Sequence, residues 1–274
     1  MKSTLSMFNI PNLFTASNML CGIIAILLSV SGRIDLAPFA IYLGAVLDFF
    51  DGFLARKLNQ QGELGKQMDS LADMITFGVA PGIMMMVLLT NFINPNVNFC
   101  SSTPISFQFQ LSFGLWIESI TAGKAFSYIP FIGLIIPFFS IFRLAKFNID
   151  TRQSDSFIGL NTPANTIFFT SFPLLLFYYQ GEQSFAGELV KTIVTPTVLI
   201  PLILLMSVLL VSEIPFFSFK FKHFKWKGNE LRFSFLLTCG ILIPTILVWS
   251  IPIIILLYII LSIVENLFLK KASI

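Results

Sequence analysis

Four aspartates stand at the ends of long apolar runs: Asp48, Asp51, Asp69 and Asp73. An ionisable side chain inside a membrane span costs about 2.5–3.5 kcal/mol on insertion scales, which makes such residues functional candidates. Asp48 and Asp51 lie three apart, and Asp69 and Asp73 four apart, so each pair shares one helix face. The short link between the pairs predicts two antiparallel neighbouring helices and one shared pocket. Four carboxylates in one pocket repel each other, and a divalent cation removes that repulsion. Hard oxygen ligands without nearby His or Cys favour Mg²⁺, Mn²⁺ or Ca²⁺. Four negative charges balance two such ions, an arrangement suited to phosphoryl transfer.

Small residues surround these acids. Gly52 and Ala55 fall beside Asp51, and Gly62 and Gly65 lie in the link. They either let a nucleotide or diphosphate approach the backbone or let membrane helices pack closely. Arg56, one turn beyond Gly52, can pair with a phosphate, Asp48 or Asp51, or serve as a topological charge. The one histidine, His223, sits in a basic loop and reads as a solvated residue.

These residues need a membrane scaffold. Of 274 residues 55% are hydrophobic and only 11% charged, too few charges to cover a soluble domain of this size. Apolar runs of span length recur along the whole chain. Eight fit the pattern: roughly 13–31, 36–55, 70–92, 127–145, 163–180, 192–212, 234–249 and 252–268. The first is too long for a signal-peptide core and reads as a retained span. The last two, separated by little more than Pro252, read as two short spans or one re-entrant hairpin. The long connection 93–126 reads as an amphipathic segment on the membrane surface. Cys21, Cys100 and Cys239 are odd in number and widely spaced, which excludes a disulfide framework or a zinc site.

Charge gives a nearly independent check on this map. With the N-terminus in the cytoplasm, only Arg33, Lys124 and Lys191 of the 17 Lys and Arg residues fall on the far side. That bias is what the positive-inside rule asks of short loops. Both termini and the aspartate pocket are then cytoplasmic. A net charge of +3 suits anionic lipid head groups and gives no reason to expect a nucleic-acid partner.

Residues 48–73 read D-F-F-D-G-F-L-A-R-K-L-N-Q-Q-G-E-L-G-K-Q-M-D-S-L-A-D. The stretch resembles the signature of the CDP-alcohol phosphatidyltransferases, D-x2-D-G-x2-A-R, eight residues, G-x3-D-x3-D. Asp48, Asp51, Gly52, Ala55, Arg56, Gly65, Asp69 and Asp73 match its fixed positions. Residues 10–22 (I-P-N-L-F-T-A-S-N-M-L-C-G), 69–81, 143–148 (R-L-A-K-F-N) and 211–220 are similar to the bacterial and archaeal branch of that family that uses serine. Lys146 stands where that branch often has Arg, keeping the charge without the planar fork.

The resemblance implies an all-α integral membrane enzyme with a six-helix core over residues 1–220. A basic loop and helical pair over 221–274 would be an addition. It implies transfer of a phosphatidyl group from CDP-diacylglycerol to the hydroxyl of L-serine, releasing CMP and depending on Mg²⁺ or Mn²⁺, with two ions expected. Asp48, Asp51, Asp69 and Asp73 would hold the metal, with Asp73 also the general base. Gly52, Ala55, Arg56, Gly65, Asn12 and Thr15 would contact the CDP-lipid. Arg143, Lys146 and Asn148 would bind serine, whose carboxylate needs a cation. Alternatives are another alcohol, of glycerol 3-phosphate or inositol type, and a divalent-cation transporter, which would leave Gly52, Ala55, Arg56 and Gly65 without a role. A bacterial inner membrane and cytoplasmic active site are expected, and a homodimer is compatible with the reading.

The orientation is testable in a variant lacking the native cysteines. A single cysteine near Lys222 is expected to react with an impermeant maleimide only from the cytoplasmic side, and one near Glu182 only from the other side. The reverse pattern would invert the map.

Overall fold

The computed structural model describes residues 8–93, 104–150, 156–179, 182–217, 226 and 229–272. His223, Cys100, Arg152 and the lysines of the basic loop at 220, 222, 225 and 227 lie outside them. The described residues are almost entirely helical, with one two-stranded ladder. The chain is an all-α integral membrane protein.

Helix α1 (Ile10–Val30) begins where Asn9 accepts a hydrogen bond from the Asn12 amide (2.9 Å) and Pro11 occupies the first turn. Helix α2 (Ala37–Lys57) runs back beside it. The end of α2 is set by Asn59 at φ 52°. Asn tolerates that left-handed conformation, and the amides of Asn59 and Gln60 close onto the carbonyls of Arg56 and Ala55. The chain therefore reverses directly after Arg56, and α3 (Glu63–Asp73) starts five residues beyond Leu58.

From Asp73 the helix widens into a π-helical segment, Met74–Val79, before α4 (Ala80–Thr90). Pro81 has no amide hydrogen to offer the Phe77 carbonyl in the α register. The Thr166 hydroxyl of α7 (Thr162–Tyr178) donates to that carbonyl instead (2.7 Å).

Two glycines let the three site-bearing helices meet. A Cβ on Gly22 would come within 2.8 Å of the Thr76 Cα, and one on Gly44 within 2.8 Å of the Thr76 methyl. Thr76 also donates to the Asn18 carbonyl of α1 (2.9 Å). Deeper in the bundle, Met84, Met85, Leu88, Phe168, Phe169 and Ile203 form the buried core. Phe39, Phe49, Phe138 and Leu205 point outward, as a lipid-facing surface requires.

A short 3₁₀ turn (Ile129–Leu134) leads into α6 (Ile135–Ile149), and α9 (Pro196–Val211) packs on α6. Within the connection expected to lie on the membrane surface is a helix, α5 (Ile105–Thr121). Its Phe109, Ser112 and Trp116 are buried, and Ser112 donates to Asn91 (3.0 Å). Strands β1 (Ser156–Ile158) and β2 (Pro215–Phe217) pair antiparallel, Phe157 opposite Phe216. Helices α10 (Glu230–Ile246) and α11 (Ser250–Ala272) fold back on each other at Leu247, φ 45°, so that Phe235 and Tyr258 rings lie 6.2 Å apart.

The expected count of eight spans is not reached by length and apolarity. Among the described residues five helical stretches qualify, or six if α8 (Phe185–Ile193) and α9 count as one across their 64° bend. Helix α7 has only 17 residues, and α10 and α11 fall within one qualifying 38-residue stretch.

The glycine crossing predicts a stability effect. Gly22→Ala places its Cβ 2.8 Å from backbone, so α1 must part from the π segment, an overpacking cost of about 1–3 kcal/mol. A clearly lowered melting midpoint in detergent is expected. Gly62→Ala, which meets nothing within 4 Å, is expected to leave the midpoint unchanged.

Candidate active site

The four aspartates converge between the C-terminal half of α2 and the last turns of α3. Oxygens of Asp48, Asp51 and Asp69 lie within 4.8 Å of one another, close enough to share one ion. Asp73 is placed deeper, within hydrogen-bonding reach of Asp48. Helix α1 supplies the donors that fix them. The Thr15 hydroxyl donates to Asp51 Oδ2 (2.6 Å), and Asn18 Nδ2 donates to Asp73 Oδ1 (3.3 Å). Asn18 is fully buried, and its own Oδ1 has no partner among the described residues.

The quartet fits a divalent cation on its chemistry. Three carboxylates crowd one small volume, the Thr15 hydroxyl and the Gly52 amide donate to Asp51, and no lysine or arginine forms a salt bridge to the cluster among the described residues. Carboxylates this close are relieved by a proton or by a cation, and their hard oxygens suit Mg²⁺ or Mn²⁺.

A cavity of about 910 Å³ opens over the cluster. One wall carries all eight signature positions together with Asn12 and Thr15. Asn9, not Asn12, caps α1, and Asn12 lines the cavity. The glycines resolve the two readings of the small residues. A Cβ on Gly52 would meet nothing nearer than the Arg56 guanidinium at 3.8 Å, and one on Gly65 would reach only Asn12 Oδ1 at 3.4 Å. These glycines open the cavity, whereas Gly22 and Gly44 serve helix packing. Arg56 is exposed, forms no salt bridge to Asp48 or Asp51, and lines the same space.

The opposite wall is made by α6, β1 and the start of α7: Arg143, Leu144, Phe147, Phe157, Asn161 and Thr162. Arg143 is only 3% exposed. Its Nε donates to the Leu160 carbonyl (3.0 Å), and its guanidinium lies over the Phe147 ring, 5.2 Å from the centroid. It makes no salt bridge with a described residue. Lys146 and Asn148, expected beside it, are not in the cavity lining. Lys146 turns one helical step away and pairs with Glu213. Asn148 donates to Ser70 (2.7 Å), and its carbonyl accepts from Lys66 (2.8 Å), so it ties α6 to α3.

Sequence reasoning missed Asn18, Phe147, Phe157, Asn161 and Thr162. Only Asn161-Thr162-Pro163 carries a local signal, that of a helix start: Asn161 accepts from the Ala164 amide (2.8 Å). Phe147 and Phe157 reach the cavity through tertiary packing, and Asn18 joins the site through its bond to Asp73.

The profile of the CDP-alcohol phosphatidyltransferase family matches residues 8–219. A CDP-diacylglycerol–serine O-phosphatidyltransferase of Bacillus subtilis is 32% identical over 158 residues, 56% of this chain and 69% of that protein. An archaetidylserine synthase of Methanothermobacter thermautotrophicus is 29% identical over 187 residues, 67% of this chain and 66% of that protein. A CDP-diacylglycerol–serine O-phosphatidyltransferase of Helicobacter pylori is 31% identical over 159 residues, 57% of this chain but 54% of that protein. The matches to the last two therefore span less than two thirds of those relatives.

The cation site can be tested without turnover. Titration of Mn²⁺ into purified protein, followed by the electron paramagnetic resonance of the free ion, is expected to show saturable binding. Asp69→Asn removes a charge and a strong oxygen ligand at unchanged size, and is expected to weaken that binding at least about tenfold. Equal binding by both proteins would remove Asp69 from the site.

Proposed function

The chain belongs to the CDP-alcohol phosphatidyltransferase family, and we propose that it transfers the phosphatidyl group of CDP-diacylglycerol to the hydroxyl of L-serine, giving phosphatidylserine and CMP. One observation carries this reading. The cavity sets the signature residues on one wall and a buried arginine without a salt bridge, Arg143, on the other. A nucleotide diphosphate suits the first wall and a carboxylate-bearing alcohol the second. The names of the relatives in Bacillus, Helicobacter and Methanothermobacter all contain serine, which supports the same acceptor.

Asp48, Asp51, Asp69 and Asp73 would hold two divalent ions, Mg²⁺ or Mn²⁺. Bound there, the ions supply charge neutralisation for the diphosphate and for the charge that develops as CMP leaves. Gly52, Ala55 and Gly65 leave the nucleotide-lipid room against the backbone, beside Asn12 and Thr15. Arg56, exposed at the cavity edge, reaches toward a phosphate oxygen. Phe49 both lines the cavity and is 64% exposed on the lipid-facing side. The acyl chains would therefore stay in the inner leaflet while the diphosphate enters sideways.

Asp73 acts as general base and accepts the proton of the serine hydroxyl. Asn18 holds the Asp73 carboxylate by its amide. The freed serine oxygen attacks the phosphorus that carries diacylglycerol. A bond forms between that oxygen and phosphorus, the bond from phosphorus to the CMP oxygen breaks, and CMP departs with the electron pair. Attack from opposite the leaving group makes this a direct displacement, with no covalent enzyme intermediate. Arg143 holds the serine carboxylate, and the site opens to the cytoplasm of a bacterial inner membrane.

The decisive experiment is lipid analysis after incubation of purified protein with CDP-diacylglycerol, Mn²⁺ or Mg²⁺, and labelled serine, with glycerol 3-phosphate and inositol in parallel. Labelled phosphatidylserine is expected, and conversion of another alcohol alone would overturn the acceptor assignment. Arg143→Ala is expected to raise the KM for serine about 10- to 100-fold, the loss of a charged hydrogen bond worth roughly 1.5–3 kcal/mol. The KM for CDP-diacylglycerol is expected to change far less. A parallel rise in both would assign Arg143 to the diphosphate.

A further inference from the structure

The wall that carries Arg143 is held from outside the part of the chain that matches the family. The family profile ends at residue 219, and α10 and α11 follow it. Helix α11 nevertheless packs on α7 and on β2. The Tyr258 hydroxyl of α11 donates to the Phe217 carbonyl of β2 (3.0 Å). Asn266, two turns further on, donates to the Pro215 carbonyl of the same strand. The Tyr258 ring is sandwiched among Phe216, Phe217 and Phe235, with centroids 5.7, 4.8 and 6.2 Å away. All four rings are buried, at 5% exposure or less.

Strand β2 transmits this anchorage inward. It pairs with β1, where Phe157 stands opposite Phe216 and lines the cavity. The Phe157 ring lies 6.3 Å from Phe147, the ring over which the Arg143 guanidinium sits. Directly after β1, Gly159 at φ 80° turns the backbone close against Leu210, and the Leu160 carbonyl emerges to receive Arg143 Nε. Tyr258 and Arg143 also lie within electrostatic reach of each other. Every link in this chain is a backbone pairing, a hydrogen bond or a ring contact. None involves the aspartates or the signature wall.

We propose that the C-terminal helical pair is the outer support of the acceptor half of the site, and that Tyr258 is a positioning residue for Arg143 through the β1–β2 ladder. The proposal rests on the reading of Arg143 as the acceptor-binding cation. It assigns the C-terminal addition to alcohol selection, since among the described residues its hydrogen bonds end on β2, the strand behind the acceptor wall.

The test is Tyr258→Phe, which removes one hydroxyl and keeps the ring stack. Which alcohol wild-type protein consumes is measured first and decides the acceptor reading alone. The comparison is then made with whichever alcohol that is. The KM for the alcohol is expected to rise roughly three- to tenfold, the size of one neutral hydrogen bond. The KM for CDP-diacylglycerol, kcat and Mn²⁺ binding are expected to stay within twofold. Asn266→Leu, which frees the other end of β2, is expected to show the same split. An unchanged alcohol KM in both variants would overturn the proposal, even if the melting midpoint falls, because the pair would then be structural only. Equal rises in both KM values would overturn it as well.

Discussion

Everything in this molecule is arranged around the repulsion among four carboxylates gathered at the end of two helices. In a low-dielectric interior that repulsion is several times stronger than in water, and no lysine or arginine among the described residues bridges to them. The scaffold holds them by geometry. Helix α1 contributes Thr15 and Asn18, each donating to one aspartate. Glycines 22 and 44 bring α1 and α2 to contact distance of Thr76, three residues past Asp73. The left-handed Asn59 reverses the chain so that the second pair of acids returns to meet the first. On the proposed reading, a cluster held this way would be a receptacle for positive charge.

The division of the cavity into two walls follows from chain order. Helices α1 to α3 are sequential neighbours and build the anionic wall from local turns. The other wall is lined from α6, β1 and the start of α7, residues 143–163, with β2 and the C-terminal pair packed behind it. The first wall carries a signature of fixed acids and glycines, and the second only single residues that no motif marks. On the proposed reading, the chemistry of the diphosphate would be encoded in that signature and the choice of alcohol in the unmarked residues.

That contrast explains what the sequence discloses. Helix period alone places Asp48 with Asp51 and Asp69 with Asp73, and the structure brings them into one cavity with Gly52, Ala55, Arg56 and Gly65. Arg143 is legible as an arginine at the edge of a span, but its anchor on Leu160 is not, because that carbonyl is presented by a turn beyond a break in the helix pattern. Lys146 looks equivalent to Arg143 in sequence, yet its partner Glu213 lies after α9 and draws it away. The count of spans shifts for a similar reason. Hydropathy registers apolar length and is blind to the bend between α8 and α9 and to the shortness of α7. Asn18 is invisible as a site residue because a lone asparagine in an apolar helix carries no local pattern.

The bond from Thr166 to the Phe77 carbonyl has a bearing on how sequence variation in such a chain should be read. Pro81 offers that carbonyl no amide hydrogen in the α register, and a hydroxyl on another helix donates to it within the π segment below Asp73. A residue swap at 166, wholly inside the bundle, would then be felt at Asp73, four positions from that carbonyl. Tolerance to substitution should accordingly be poor at the buried Thr166 and greatest at glycine 62, where a Cβ meets nothing within 4 Å, although glycine 62 borders the cavity and Thr166 does not.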